Sequence, residues 1–520
     1  MLLCGGVTAI ARSGAIVGVE ARPVRVEAHV ANGLPGMHIV GLPEASVRES
    51  QARVKAAMAN TGYSFPQRRT IVNLAPADLR KGGTGFDLAI AVALVAANTG
   101  EDLPSLRRWS LVGELGLDGR IRSVAGALPQ AIGARLAGLE GIVLAQDDAR
   151  AAAAIEGIRV VAASRLDDVV EFLRGGRNLP DAVAPALAEA ASDTGVDLAD
   201  VRGQGPARRA LEVAAAGGHA TLLVGPPGGG KTMLARRLPT ILPPMSFEER
   251  IEASVIWSVG HPAAIRRGLL GARPFRAPHH TASDVGLVGG GSPPRPGEVS
   301  LAHAGVLFLD ELPEFRRSAL EALRQPLEDG FVSLVRASGR VVFQSRVTLV
   351  AAMNPCPCGM AGSPGERCGC TQEATRRYRS RVSGPLLDRI DLHIGVPAVP
   401  VRDLGGATAE PSANVRRRVE AARERQRMRL CGVRFLGRAI ESNAEIPTHL
   451  LDSHCAIGPA ARRRLDAAAE AGSISARSWE RIRKVARTVA DLAGAEEIGP
   501  EHVDEAVAYR WMDRTAGREA

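Results

Sequence analysis

Lysine is nearly absent from this chain of 520 residues: only Lys55, Lys81, Lys231 and Lys484 occur, although Lys and Arg together number 65. Its basic character is therefore arginine's. Aromatic residues make up only 3%, so the core must be built from Ala, Val, Leu and Ile. Long hydrophobic runs are missing too. The longest, Phe86 to Ala97, contains Asp87 and is too short to cross a bilayer, which takes about 20 apolar residues. Met1 to Arg12 lacks a basic region followed by an apolar run, so no secretory signal is expected. A cytoplasmic protein without membrane contact follows as the expectation. No repeat of fixed period is visible. Cysteines are few, 7 in all, and four of them fall between Cys356 and Cys370. Clustering of that kind in a cytosolic chain points to metal more than to disulfides, whereas Cys4, Cys431 and Cys455 are isolated.

What is present is ordinary for a globular protein: 45% hydrophobic and 23% charged residues. The length suggests about three domains. A net charge of +9 is compatible with a polyanionic partner but weak as an argument for one. Three textures divide the chain. Residues 1–175 alternate β-rich runs, such as Arg69 to Leu74 and Gly141 to Leu144, with helical ones. Residues 176–199, rich in Pro, Ala and Asp, read as a linker. Residues 200–400 carry strand–loop–helix units, and Ala398 to Ser412 reads as a loop. Residues 414–520 are helical by pattern, with a charged helix at Arg416 to Arg429 and an amphipathic one at Glu480 to Leu492.

Three apolar strands end in polar groups. Thr221 to Val224 runs into Gly225-Pro226-Pro227-Gly228-Gly229-Gly230-Lys231-Thr232, and a helix is expected to start near Met233. Glycines let backbone N–H groups face phosphates, Lys231 reaches the β and γ phosphates of ATP, and the Thr232 hydroxyl ligates Mg2+. Val306 to Leu309 ends in Asp310 and Glu311. Asp310 would hold Mg2+ through its water shell, and Glu311 would orient and deprotonate the attacking water. Val347 to Met353 ends in Asn354, whose amide can hold that water beside the γ phosphate. Cys356, Cys358, Cys368 and Cys370 suit tetrahedral zinc. The single residue inside each pair is tighter than the usual two to four, and reduced cysteines or a redox pair stand as the alternative.

In this order and spacing the strands resemble those of AAA+ ATPases. Asp200-Val201-Arg202-Gly203-Gln204, Phe275-Arg276-Ala277-Pro278-His279-His280-Thr281, Asn354-Pro355-Cys356-Pro357-Cys358-Gly359 and Ser383 to Leu392 narrow the resemblance to the magnesium-chelatase-like family and its ComM/YifB group. The resemblance implies an α/β fold of three parts: an N-terminal Lon-protease-like, ribosomal S5-type α+β domain, a central AAA+ P-loop domain and a C-terminal helical lid. It further implies a homo-oligomeric ring, hexameric in such motors, and a role in DNA branch migration during integration of transformed DNA. Arg389 matches the arginine finger that reaches a neighbouring subunit's γ phosphate, with Arg377, Arg379 and Arg381 as nearby alternatives. Arg477 matches the second sensor, with Arg481 and Arg483 close by.

Phe331 to Gln344 reads as a β-hairpin turning at Ala337-Ser338-Gly339. In related ring motors a hairpin here points into the pore, so Arg336 and Arg340 would track the phosphates of single-stranded or branched DNA; two surface arginines are the plainer reading. Gly286 to Gly297, with Arg295, resembles a second pore insertion. In the N-terminal region, Ala75 to Ala89 and Gly113 to Arg120 carry the Lon-like resemblance, but the serine and lysine of Lon-type proteolysis fall at Gly85 and near Leu128. Lys81 with Thr84 is a conceivable substitute pair. Arg68, Arg69, Arg80 and Lys81 could form a basic face. Two other classes stay open: a chelatase-type motor remodelling a partner protein, and an ATP-dependent protease.

Overall fold

A computed structural model of the chain describes residues 7–185, 195–336, 339–361, 368–399, 409–435, 437–472 and 474–516. Cys4, the hairpin turn at Ala337-Ser338, and residues 400–408 of the loop expected at 398–412 lie outside the described residues.

The first unit is a seven-stranded mixed sheet in the spatial order Gly36–Val40, Arg69–Ala75, Glu20–Ala31, Val7–Val17, Trp109–Leu111, Gly141–Ala145, Arg159–Ala163. Its centre is the long antiparallel pair running from Val7 opposite Val30 to Val17 opposite Glu20. Helix Asp87–Thr99 is buried from Asp87 to Ala97, because after Asp87 its sequence offers no polar face to water. The one charge on that stretch is neutralised inside: Asp87 takes a hydrogen bond at 2.6 Å from Arg53 and another from Ser50. The segment read as a linker is partly claimed by its neighbours. The Ala182 N–H donates to the Val160 carbonyl at 2.8 Å, continuing the edge of the sheet. At the far end Leu198 is buried and its N–H donates to Ser412 Oγ at 2.7 Å.

The second unit is built on five parallel strands, ordered Phe275–Arg276, Gly305–Leu309, Val347–Met353, Thr221–Val224, Leu392–Gly395. Strands buried on both faces must be apolar throughout, as Gly305–Leu309 and Thr221–Val224 are. Helices Gly205–Gly217 and Lys231–Ile241 cover the sheet and share one core with Ser412–Arg429, Pro459–Gly472, Ala476–Ala493 and Pro500–Ala508. The amphipathic helix expected from Glu480 begins earlier, at Ala476, because Ser475 caps it by accepting the Ser478 N–H at 3.2 Å. The charged helix Ser412–Arg429 presents Val415, Val419, Ala422 and Gln426 to the interior at helical spacing.

The hairpin forms as the antiparallel pair Phe331–Arg336 and Gly339–Gln344. Its base packs against the first unit: Val17 and Val19, flanking the turn between the two longest strands, join the apolar cluster of Val332, Val341 and Phe343. A second contact sets the Gly126 N–H on the Ser258 carbonyl at 2.9 Å. The chain is thus α/β, with an N-terminal α+β unit, a parallel-sheet P-loop unit and a helical C-terminal part. Among the described residues no helix is long and apolar enough to cross a membrane.

Candidate nucleotide site

Three neighbouring strands of the parallel sheet end together. Register places Val224 beside Met353 and Leu309 beside Ala351, so Gly225, Asn354 and Asp310 leave the sheet along one edge. The carboxyl edge of an open parallel sheet is where such folds bind ligands. Gly230 adopts φ +90°, a conformation cheap only for glycine. The helix then starts at Lys231 rather than near Met233, so the first helical N–H groups lie inside the loop and can face an anion.

Lys231 is 9% exposed. Its ammonium donates to the Gly225 carbonyl at 2.8 Å, the Pro226 carbonyl at 2.9 Å and Asn354 Oδ1 at 3.1 Å. Burial lowers its pKa, and the charges of Asp310 and Glu311 oppose that shift. All three acceptors are neutral oxygens, which leaves the positive charge for an anionic ligand. The Thr232 hydroxyl donates to Asp310 Oδ2 at 2.7 Å, and the Glu311 N–H to Asp310 Oδ1 at 3.0 Å. Glu311 has φ +53°, a left-handed backbone that a non-glycine residue keeps only where its surroundings enforce it. That turn directs its carboxylate to His280 Nδ1, 3.1 Å away.

Two cavities meet at Glu311. One, of about 280 Å³, is lined by Thr232, Asp310, Glu311, His279 and His280. The other, of about 520 Å³, is lined by Glu311, Asn354, Arg377, Tyr378 and Arg381. Within one chain the structure therefore brings together Lys231, Thr232, Asp310, Glu311 and Asn354. Arg389 and Arg477 line neither cavity. Arg389 donates to the Pro385 carbonyl at 2.7 Å and pairs with Glu328, while Arg477 is exposed and 3.5 Å from Asp388. Arg377 and Arg381 do reach the second cavity, where Arg381 pairs with Glu314 at 3.0 Å.

Sequence comparison decides the family. Family descriptions match along the chain: "Subunit ChlI of Mg-chelatase" over residues 26–148, "Magnesium chelatase, subunit ChlI" over 197–404 and "Magnesium chelatase, subunit ChlI C-terminal" over 409–510. Protein YifB of Salmonella typhimurium is 44% identical over 510 residues, covering 97% of both chains. Competence protein ComM of Haemophilus influenzae is 43% identical over 511 residues, covering 97% of this chain and 98% of that protein.

The chain belongs to the magnesium-chelatase-like ComM/YifB family.

Membership of this AAA+ family implies ATP and Mg2+, and the donor set fits both. A buried ammonium without a carboxylate contact suits phosphate, and a hydroxyl beside a carboxylate at a strand end suits a hard cation. Outside the nucleotide site, Arg336 and Arg340 lie on the hairpin, with Arg340 Nε donating to Ser333 Oγ at 2.8 Å. The exposed Val335 lies directly across from Arg340 and next to Arg336 in the chain. Gly290 of the second insertion lies against the Arg336 guanidinium, so the two insertions adjoin. The Sγ atoms of Cys356, Cys358, Cys368 and Cys370 all lie within 4.8 Å of one another, a set that could hold a metal ion.

In the N-terminal unit, Leu128 is fully buried, and a side chain at Gly85 would face Val112 and Val124. Lys81 is not part of a basic face. It is 0% exposed and its ammonium donates inward to the Pro76 carbonyl, so only Arg68, Arg69 and Arg80 of the four are exposed. Sequence reasoning gave His280 no role. It lies far from the two strand-end carboxylates in sequence, and the pairing of Phe275–Arg276 beside Gly305–Leu309 delivers it to Glu311.

Proposed function

We propose that this chain is the ATP-hydrolysing subunit of a hexameric AAA+ ring that translocates DNA and drives branch migration during recombination of transformed DNA. One observation carries the reading: Lys231, Thr232, Asp310, Glu311 and Asn354 converge at one sheet edge. The name of the competence protein ComM supports a DNA role. In this reading Lys231 neutralises the β and γ phosphates, Thr232 and Asp310 hold Mg2+, and Asn354 positions the water that Glu311 deprotonates. Arg389 acts on the neighbouring subunit's nucleotide, which accords with its distance from its own pocket. Release of Arg389 from Glu328 would accompany assembly. Arg477 then serves as the second sensor. Arg336 and Arg340 follow the DNA backbone, beside the exposed Val335.

The test measures ATP turnover with and without single-stranded and branched DNA, together with strand exchange on a model junction, for wild type and Lys231→Ala. DNA should accelerate wild-type turnover, and the variant should lose most of its turnover and its strand exchange. DNA that neither binds nor accelerates hydrolysis rejects the translocase. The double variant Arg336→Ala/Arg340→Ala should keep basal turnover and lose the DNA response. The family descriptions favour a second reading, a chelatase-type motor that remodels a partner protein. Co-purification of a large porphyrin-binding partner would favour it.

A further inference from the structure

Asn354 is followed at once by the cysteine loop, and that loop touches the P-loop. Gly359, at φ +82°, packs so closely on Pro227 that a Cβ there would stand 2.5 Å from Pro227 Cδ. Cys356 is fully buried. Its carbonyl accepts the Gly359 N–H at 3.0 Å and its Sγ accepts the Ala361 N–H at 3.4 Å. On the far side, Thr371 follows Cys370 and caps helix Gln372–Arg379, its Oγ1 accepting the Ala374 N–H at 3.1 Å. That helix returns to the nucleotide site. Arg379 donates to the Pro355 carbonyl at 3.3 Å, and Tyr378 lines the cavity shared by Glu311 and Asn354. The four sulfurs thus join the two segments that frame Asn354.

Their spacing suits one tetrahedral ion. Cys356 Sγ lies 3.4 Å from Cys358 Sγ and 3.6 Å from Cys368 Sγ, and Cys358 and Cys368 are 3.6 Å apart. Four sulfurs around one zinc at about 2.3 Å stand roughly 3.8 Å from each other. A multi-iron cluster spreads its ligands wider than one ion does. We propose that Cys356, Cys358, Cys368 and Cys370 hold one zinc ion, and that this ion is part of the nucleotide site because it fixes Asn354 and braces Pro227 of the P-loop. Binding exchanges four thiol protons for one Zn2+, with no change of oxidation state. The ion would bind together thiols that otherwise share only sulfur contacts among the described residues, and its loss would weaken the backing of both Asn354 and the P-loop. The consequence for turnover rests on the nucleotide reading above; the metal itself does not.

The test uses the full chain purified without added metal. Elemental analysis should find about one zinc per chain, and titration of the thiols with a mercurial should release it. Stripping the zinc should lower ATP turnover about 10–100-fold, and zinc alone should restore it. Amide exchange at residues 225–232 and 347–361 should rise on stripping and fall again on reloading. Cys368→Ser/Cys370→Ser should reproduce the stripped state, and Cys431→Ser should behave as wild type. Zinc-free wild-type protein, or iron in its place, overturns the proposal. So does zinc whose removal leaves exchange at 225–232 unchanged, even if the double-cysteine variant misfolds. Zinc-dependent exchange in a protein that never hydrolyses ATP supports this inference and rejects the nucleotide reading instead.

Discussion

Two lysines of this chain are buried, and their surroundings are opposite. Lys81 is sealed in the N-terminal unit, donates to the Pro76 carbonyl, and has its pKa lowered by burial, with only Asp78 pulling the other way. Lys231 is lowered by the same cause, yet it faces Asp310 and Glu311 beside the two cavities at Glu311. Burial and a depressed pKa therefore do not make a site. Convergent carboxylates and open volume next to the amine do. The N-terminal unit has the first pair of properties, and neither cavity at Glu311 is lined by its residues. The sequence reading expects the Lon-type serine and lysine at Gly85 and near Leu128, and those positions hold a residue without a side chain and a fully buried leucine.

The sharpest way to break this contrast is to remove its charged groups one at a time. Glu311→Gln should lower ATP turnover on the order of 10²–10⁴-fold, the usual worth of a general base, with ATP binding retained in a filter or fluorescence assay. Lys231→Ala should cost about 10²–10³-fold, as loss of one preorganised donor to a developing anion does. Lys81→Met should leave turnover unchanged. Its effect belongs to stability. Because the folded pKa is depressed, the unfolded chain binds the proton more tightly, so stability rises with pH through the alkaline range. Lys81→Met should abolish that rise in unfolding experiments. A turnover defect in Lys81→Met would place chemistry in the N-terminal unit after all.

A smaller effect is expected at His280. His280 Nδ1 lies 3.1 Å from a Glu311 carboxylate oxygen, so His280→Ala should lower turnover about tenfold, the scale of removing one polar neighbour from a charged group. Unchanged turnover would reduce His280 to packing against Phe315, with which its ring makes an edge contact at 6.5 Å.

The P-loop and both carboxylates were legible because each sits in a short, uniformly apolar strand followed by residues with one obvious chemistry. The sheet order, and hence the meeting of Asn354 Oδ1 with the Lys231 ammonium at 3.1 Å, was not readable from spacing, which offered Asn354 only as a polar strand end. His280 was illegible because its role depends on a two-residue strand, Phe275–Arg276, pairing with Gly305–Leu309. Lys81 was misread as surface because a lone charge next to Arg80 gives no pattern of burial. The helix at Ala476 was shortened in the reading because its first turn is polar, and its start is marked by a single serine cap.

The smallest expected effect lies where the two units meet. Asp148 is 8% exposed and accepts the Val124 N–H at 2.8 Å. Burial pushes its pKa from 3.8 up to about 6, against the pull of that bond and of Arg266 from the nucleotide unit. The native state then holds a proton that the unfolded chain has released, so this group's contribution is complete below 3.8 and lost as pH rises through about 6. At neutral pH a buried carboxylate remains, and it costs stability. Asp148→Asn keeps an acceptor for Val124 and removes the charge. It should raise stability on the order of 1 kcal/mol near pH 7 and flatten the pH dependence in that window, read from unfolding midpoints. ATP turnover should not change, because Asp148, like Lys81, is a buried ionisable group with no cavity of the nucleotide site beside it. A variant no more stable at neutral pH than wild type would mean that Arg266 already neutralises the carboxylate across the contact. The two units would then be coupled by charge as well as by apolar packing.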